Sequence, residues 1–242
     1  PATANASTSA DPFAMSSPTT GRKPRLAVLV SGRGSNLQAI LDAIGDGRLD
    51  AEIVGVFSDR PDAAALARVG PELRWSAEAR RYPDRAAFDA TLAAAVDAAT
   101  PDWVFCAGYM RILGEAFVQR FDGRLLNVHP SLLPRYKGLH THARALAAGD
   151  PEHGASVHFV VPELDAGAVV AQARIPVVAG DTAESLAARL LPDEHRLVVA
   201  VLALDCSGRL SEHHGQVRLD GQTLFSPLEL DSAGSLRPGS HT

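Results

Sequence analysis

Three segments of the chain have residue types and spacings that could do chemistry. Asn127 and His129 stand two residues apart in Asn127-Val-His-Pro-Ser-Leu-Leu-Pro134. In an extended segment residues i and i+2 point the same way, so an amide and an imidazole face one site. Such a pair can donate hydrogen bonds to a developing oxyanion, and the histidine can also handle a proton. Glu163-Leu-Asp-Ala-Gly167 lies between two apolar runs and offers Asp165 as a carboxylate partner that would hold the tautomer of His129. Ser31-Gly-Arg-Gly-Ser-Asn36 joins an apolar run to a helical pattern. Its glycines let the backbone turn tightly and expose N–H groups, and a helix N-terminus adds about half a positive charge. A phosphate is the natural guest of such a loop. Each segment also has a plainer reading: an ordinary strand-to-helix turn with Ser35 as N-cap, a loop histidine, and a solvated acidic turn.

Other chemistries lack their residues. A dinucleotide fingerprint needs glycine where Leu37 stands, and a Walker loop needs Gly-Lys-Ser/Thr. There is no Gly-x-Ser-x-Gly elbow for a serine hydrolase. His140, His142, His153 and His158 follow no metal-ligand spacing, so no metal is expected.

These segments need a scaffold that brings them together. Leu26–Val30, Ile53–Phe57, a weak run near Leu73–Trp75, Trp103–Ala107 and Leu125–Val128 read as short, buried strands. Helices are expected after the first four: from Leu37, in the alanine-rich stretch after Pro61, from Pro83-Asp84, and around Phe117 and Phe121. Strands alternating with helices predict a parallel, helix-covered α/β sheet, with ligands beyond the carboxyl ends of the strands. The loops Ser31–Asn36, Ala107–Leu113 and Asn127–His142 fall there. Ala155–Val161 and Val169–Val177 read as an antiparallel pair, a long helix spans about Thr182 to Leu204, and Asp220-Gly221 marks a hairpin turn.

The 242 residues carry a net charge of −5 and 46 % apolar residues, 41 of them alanine, with 5 % aromatics. No run of about 18 apolar residues exists, so no membrane span is expected. Bulk charge does not argue for nucleic-acid binding. Cys106 and Cys206 give at most one bridge, and a reducing, cytoplasmic setting is expected. Of the first 20 residues, 16 are Ala, Ser, Thr or Pro. Residues 1–24 are therefore read as a disordered tail or an added extension, 25–225 as one catalytic domain, and 226–242 as a frayed tail.

Seven segments in order resemble one family. They are Ser31–Gln38, Ala107–Leu113, Asn127–Pro134, Gly138-Leu-His-Thr-His142, Ser156–Val160, Glu163–Gly167 and Glu194-His195. Over about residues 25–225 the chain resembles the folate-dependent phosphoribosylglycinamide formyltransferases of purine synthesis. The resemblance implies a Rossmann-like, mostly parallel twisted sheet of about seven strands, with helices on both faces and an antiparallel C-terminal portion. It implies that glycinamide ribonucleotide and 10-formyltetrahydrofolate are the substrates, acting on a monomer or homodimer. Gly34, Ser35 and Asn36 match the segment that holds the ribonucleotide 5′-phosphate. Leu191, Pro192, Asp193 and Glu194 match ribonucleotide contacts. Arg85, Met110, Arg111, Ile112, Leu113, Asn127, Val161, Pro162, Glu163, Leu164 and Asp165 match folate-binding positions, and Asn127, His129 and Asp165 the catalytic trio. Two departures stand out: Lys137 replaces a proline of some members, and Pro192 is expected to break or kink its helix.

Three rivals share parts of this pattern. A methionyl-tRNA formyltransferase would be expected to add a C-terminal nucleic-acid-binding domain. A formyltetrahydrofolate hydrolase would be expected to add a regulatory domain ahead of the catalytic one. A non-catalytic phosphate-binding module would have no use for Asn127, His129 and Asp165.

Overall fold

The computed structural model describes residues 22–239. β1 (Arg25–Val30) packs Leu26, Val28 and Val30 against one face of the sheet and Ala27 and Leu29 against the other. Burial on both faces is why the strand reads as an unbroken apolar run. α1 (Ser35–Gly45) covers the first face with Leu37, Ile40 and Ala43. β2 (Glu52–Ser58) and β3 (Arg74–Ser76) extend the sheet in parallel on one side of β1. α2 (Arg85–Ala98), whose first turn is capped by the Asp84 side chain, covers the second face with Phe88, Leu92 and Val96. β4 (Trp103–Cys106) and β5 (Leu125–His129) continue in parallel on the other side of β1, with α3 (Glu115–Arg120) between them in sequence.

Strand direction reverses after β5. α4 (Thr141–Ala148) leads to β6 (Glu152–Phe159), antiparallel to β5, and to β7 (Val169–Pro176), antiparallel to β6. The turn between them needs Gly167, because a Cβ there would lie 1.9 Å from the Phe159 carbonyl oxygen. α5 (Ala183–Cys206) starts in a Thr182/Ser185 capping box and buries Leu186, Leu190, Leu197 and Val201 against the same face as α1. β8 (Leu210–His213), β9 (Gln216–Leu219) and β10 (Gln222–Thr223) form a separate antiparallel sheet. β11 (Leu228–Leu230) and β12 (Leu236–Pro238) return to the main sheet, whose order is β12-β11-β7-β6-β5-β4-β1-β2-β3. The architecture is the Rossmann-like one expected, with nine strands in the main sheet instead of about seven.

Several expectations change. The alanine-rich stretch after Pro61 forms only a five-residue 3-10 turn, Ala64–Arg68. Pro61 and Gly70-Pro71 leave too little chain between them for a stable helix, and tertiary packing of Ala65 beneath the glycine loop fixes the rest. The 226–242 stretch does not fray over its described part, because Leu228 is buried and β11 pairs in parallel with β7. Residues 22–24 are tied down as well: Arg22 bonds Asp102 at 2.7 Å and the Pro24 carbonyl accepts from Glu52. The rest of the expected N-terminal tail lies outside the described residues. α5 runs unbroken through Pro192. Pro192 and Ala188, whose carbonyl loses its usual donor, are both exposed, so water can take that bond. No helix among the described residues is long and apolar enough to cross a membrane.

Asp205, at the end of α5, is 1 % exposed, and neither carboxyl oxygen has a hydrogen-bond partner among the described residues. Burial pushes its pKa well above the ordinary carboxylate value. The folded state then keeps a proton that the unfolded chain releases, so this group weakens stability as pH rises above about 4. Asp205→Leu is expected to raise the thermal midpoint by several degrees at pH 8, and by less at pH 4. Scanning calorimetry of both proteins at the two pH values measures it.

Candidate functional site

The carboxyl ends of β4 and β5 open into a cleft of about 490 Å³. The reversal at β5 builds its floor. In the antiparallel ladder Asn127 lies opposite His158 and Val128 opposite Val157. The two valines turn into the core beneath α5, while Asn127, His129 and His158 line the cleft. Asn127 Nδ2 is 3.1 Å from His158 Nε2, and His158 Nδ1 is 2.8 Å from the Phe159 carbonyl oxygen. The carbonyl can only accept, so the proton is assigned to Nδ1 and Nε2 accepts from Asn127. Burial pushes the His158 pKa down, against the upward pull of the Phe159 carbonyl and Asp165. A neutral His158 therefore holds one N–H of Asn127 and leaves the other to donate into the cleft.

Asp165 reaches both histidines. Its Oδ2 lies 3.4 Å from His129 Nδ1 and accepts the Gly138 N–H at 2.8 Å, and its Oδ1 lies 3.7 Å from His158 Nε2. Its backbone sits at φ 49°, a left-handed conformation costing about 1–3 kcal/mol outside glycine. His129 Nε2 donates to the Tyr136 carbonyl at 2.9 Å. Both ring nitrogens of His129 thus face acceptors, one of them anionic.

The loop after His129 is fixed from below and from the side. Ser156 donates to the Ser131 carbonyl at 2.7 Å and accepts from the Leu133 N–H, and Gln172 donates to the Leu133 carbonyl. Both side-chain partners, Ser156 and Gln172, are buried. Asp150 accepts from the Tyr136 hydroxyl at 2.6 Å and from Arg135 at 2.7 Å. His153, 1 % exposed, lies 2.9 Å from His142 across the same loop. Burial lowers the His142 pKa, with His129 adding to it, and burial and the neighbouring His142 push His153 down to about 4.

The glycine loop adjoins this cleft. Gly34 caps α1 at φ 73°, and a Cβ there would lie 2.6 Å from that of Ala65. Ser35 is therefore the first helical residue and not the N-cap. The Ala65 N–H donates to the Gly32 carbonyl, and Arg68 donates to the Arg33 carbonyl at 2.9 Å. Asn36 reaches into the cleft and donates to Glu194 at 2.8 Å. Burial pushes the Glu194 pKa up, and the Asn36 bond opposes it.

One wall is Met110, Arg111, Ile112 and Leu113, and the facing one holds Val161, Pro162, Leu164 and Asp165. Other candidates lie outside the cleft lining. Gly34 and Ser35 stay in the loop behind Asn36. Leu191, Pro192 and Asp193 leave only Glu194 facing inward, and Asp193 pairs with Arg196. Glu163 turns to solvent and pairs with Lys137 at 3.1 Å. Arg85, the exposed first residue of α2, sits 3.8 Å from Asp89 in a different groove, between α2 and α3. His158 is the residue that sequence reasoning missed. Its signal was the polar pair Ser156-x-His158 in an apolar strand, but only the β5–β6 register reveals its partner.

Comparison with known proteins gives a consistent picture. The family profile described as formyl transferase matches residues 24–202. The phosphoribosylglycinamide formyltransferase of Escherichia coli is 47 % identical over 201 residues, covering 82 % of this chain and 95 % of that protein. The Haemophilus influenzae protein of the same name is 40 % identical over 202 residues, 83 % of this chain and 95 % of that one. The solved phosphoribosylglycinamide formyltransferase from Coxiella burnetii superposes with a TM-score of 0.79 at 45 % identity, covering 84 % of this chain and 96 % of that chain.

His153 stays neutral in the folded protein until about pH 4 but takes a proton near 6.5 when unfolded. The unfolded chain then binds more protons between these values, so His153 makes stability fall as pH drops from 6.5 toward 4. An NMR titration of the imidazole resonances is expected to give a His153 midpoint near 4. A midpoint near 6.5 would mean that the ring is not buried as described.

Proposed function

This chain belongs to the formyl transferase family, and from that premise we propose that it moves the formyl group of 10-formyltetrahydrofolate to the amine of glycinamide ribonucleotide. It is a one-carbon transferase of purine biosynthesis, and a formyl folate is its co-substrate. The observation that carries the residue-level reading is the 3.4 Å approach of His129 to Asp165 with Asn127 beside them at the strand ends.

The steps follow from what these side chains can donate. The ribonucleotide phosphate meets the N–H groups at the start of α1, near Gly34, Ser35 and Asn36, where the helix end favours an anion. Glu194, held by Asn36, faces the rest of that substrate. The folate ring lies between Met110–Leu113 and Val161–Leu164, where the exposed apolar side chains of Met110, Ile112 and Leu164 are available to pack against it. When the amine adds to the formyl carbon, the carbonyl oxygen becomes an oxyanion. The second Asn127 N–H donates to it. His129 is the other donor, once its Tyr136 bond has been exchanged for the substrate. Asp165 stabilises the imidazolium, and His129 delivers a proton toward the leaving nitrogen as the tetrahedral adduct collapses. The proton that the attacking amine must give up to become the formamide restores the imidazolium.

Loss of one oxyanion donor costs about 3–4 kcal/mol of barrier, so His129→Ala and Asn127→Ala are each expected to lower kcat by a hundredfold or more. Asp165→Ala should do the same while keeping the fold. An absorbance assay for the folate product, run with and without glycinamide ribonucleotide, tests the reading. Product only in the presence of the ribonucleotide supports it. Product without the ribonucleotide would mean a hydrolase, and no product at all a binding module.

A further inference from the structure

Ser31 follows the last residue of β1 and opens the glycine loop, yet its hydroxyl serves a different part of the cleft. It is 2 % exposed. Its Oγ lies 2.6 Å from Asp59 Oδ1 and 2.9 Å from the Met110 N–H, 79 residues away. A carboxylate has no proton to give, so the hydroxyl hydrogen goes to Asp59 and an oxygen lone pair receives Met110. Asp59 is in place because Val30 pairs with Ser58 in the β1–β2 ladder, which sets the next residues side by side. Two backbone bonds complete the junction: Ser31 N–H to the Gly108 carbonyl at 3.2 Å, and Ala107 N–H to the Leu29 carbonyl at 2.8 Å.

We propose that Ser31, oriented by Asp59, is a positioning residue that sets the Met110–Leu113 wall against the glycine loop, and so governs affinity for the folate more than for the ribonucleotide. The assignment of substrates to the two sides rests on the function proposed above. The asymmetry follows from separate supports. The glycine loop is also braced by the Ala65 N–H and the Arg68 guanidinium, neither of which touches Ser31. The Met110 N–H has the Ser31 hydroxyl as its acceptor. Without it, the N–H at the start of the wall loses the side-chain acceptor that ties it to β1.

The test is steady-state kinetics on the full chain with each substrate varied in turn, alongside thermal melts and calorimetric titration with tetrahydrofolate. Ser31→Ala is expected to raise KM for the formyl folate about tenfold and leave KM for the ribonucleotide within about twofold, as loss of one partly buried hydrogen bond allows. Asp59→Ala should reproduce this. Asp59→Asn should not, because the amide oxygen still accepts the hydroxyl. Equal changes in both KM values, a fall in kcat with neither KM changed, or equal damage from Asp59→Asn and Asp59→Ala would overturn the proposal. Absence of ribonucleotide-dependent turnover in the unmodified chain would instead overturn the proposed function. The tetrahydrofolate titration separates the two: unchanged affinity in Ser31→Ala counts against Ser31 whatever the turnover.

Discussion

The site depends on one strand pairing. A wholly parallel sheet would bring β6 alongside β5 in the same direction, and its polar residues would lie at the far end. Antiparallel pairing sets Asn127 opposite His158 and brings the β6–β7 turn, with Asp165, back over His129. The register also decides the faces. Val128 and Val157 are buried beneath α5, so a one-residue slip would bury the amide and imidazoles and expose valines. The apolar core therefore fixes the polar geometry, because the alternative pairing would cost both hydrophobic burial and several unsatisfied polar groups.

The polar groups around Asn127 and Asp165 hold one another in place. The Phe159 carbonyl sets the His158 tautomer, and His158 takes one hydrogen of Asn127. Gly138 and the two histidines surround the Asp165 carboxylate. Ser156 and Gln172 hold the loop from beneath. Between the strand ends and Asp165, the donors left for a substrate are one N–H of Asn127 and whatever His129 releases when it leaves Tyr136. Elsewhere in the cleft lining, Asn36 Oδ1, the Tyr109 hydroxyl and Arg111 Nε stand without partners among the described residues. A site arranged in this way needs little reorganisation when charge develops, which is where an oxyanion-stabilising site gains most. The strained backbone of Asp165 fits the same picture, since such conformations persist only where the surroundings over-determine them.

Legibility in the sequence followed the range of the interaction responsible. The buried strands, the glycine turn into α1 and the Asp84 cap of α2 are local patterns, and all could be read from a few neighbouring residues. Asn127 and His129 were visible because spacing by two within a strand is local as well. His158 was not, because its partner lies 31 residues away and is set by register. The alanine stretch after Pro61 looked helical by propensity, but its conformation is decided by Gly32 and Gly34 packing over Ala65. β11 and β12 are too short to announce themselves and exist because β7 offers an unpaired edge. Arg85 was taken from resemblance alone, and its position beside Asp89 shows that a matched residue need not line the cleft.

The central claim is that Asn127 and His129 converge on one oxygen atom. A crystal structure of the chain with glycinamide ribonucleotide and a folate analogue carrying a non-transferable hydrated carbonyl would test it most directly. The account predicts the hydrate oxygen within hydrogen-bond distance of Asn127 Nδ2 and of a His129 ring nitrogen, with Asp165 still against the imidazole and Tyr136 no longer holding Nε2. An oxygen bound elsewhere in the cleft, with His129 still donating to Tyr136, would contradict it.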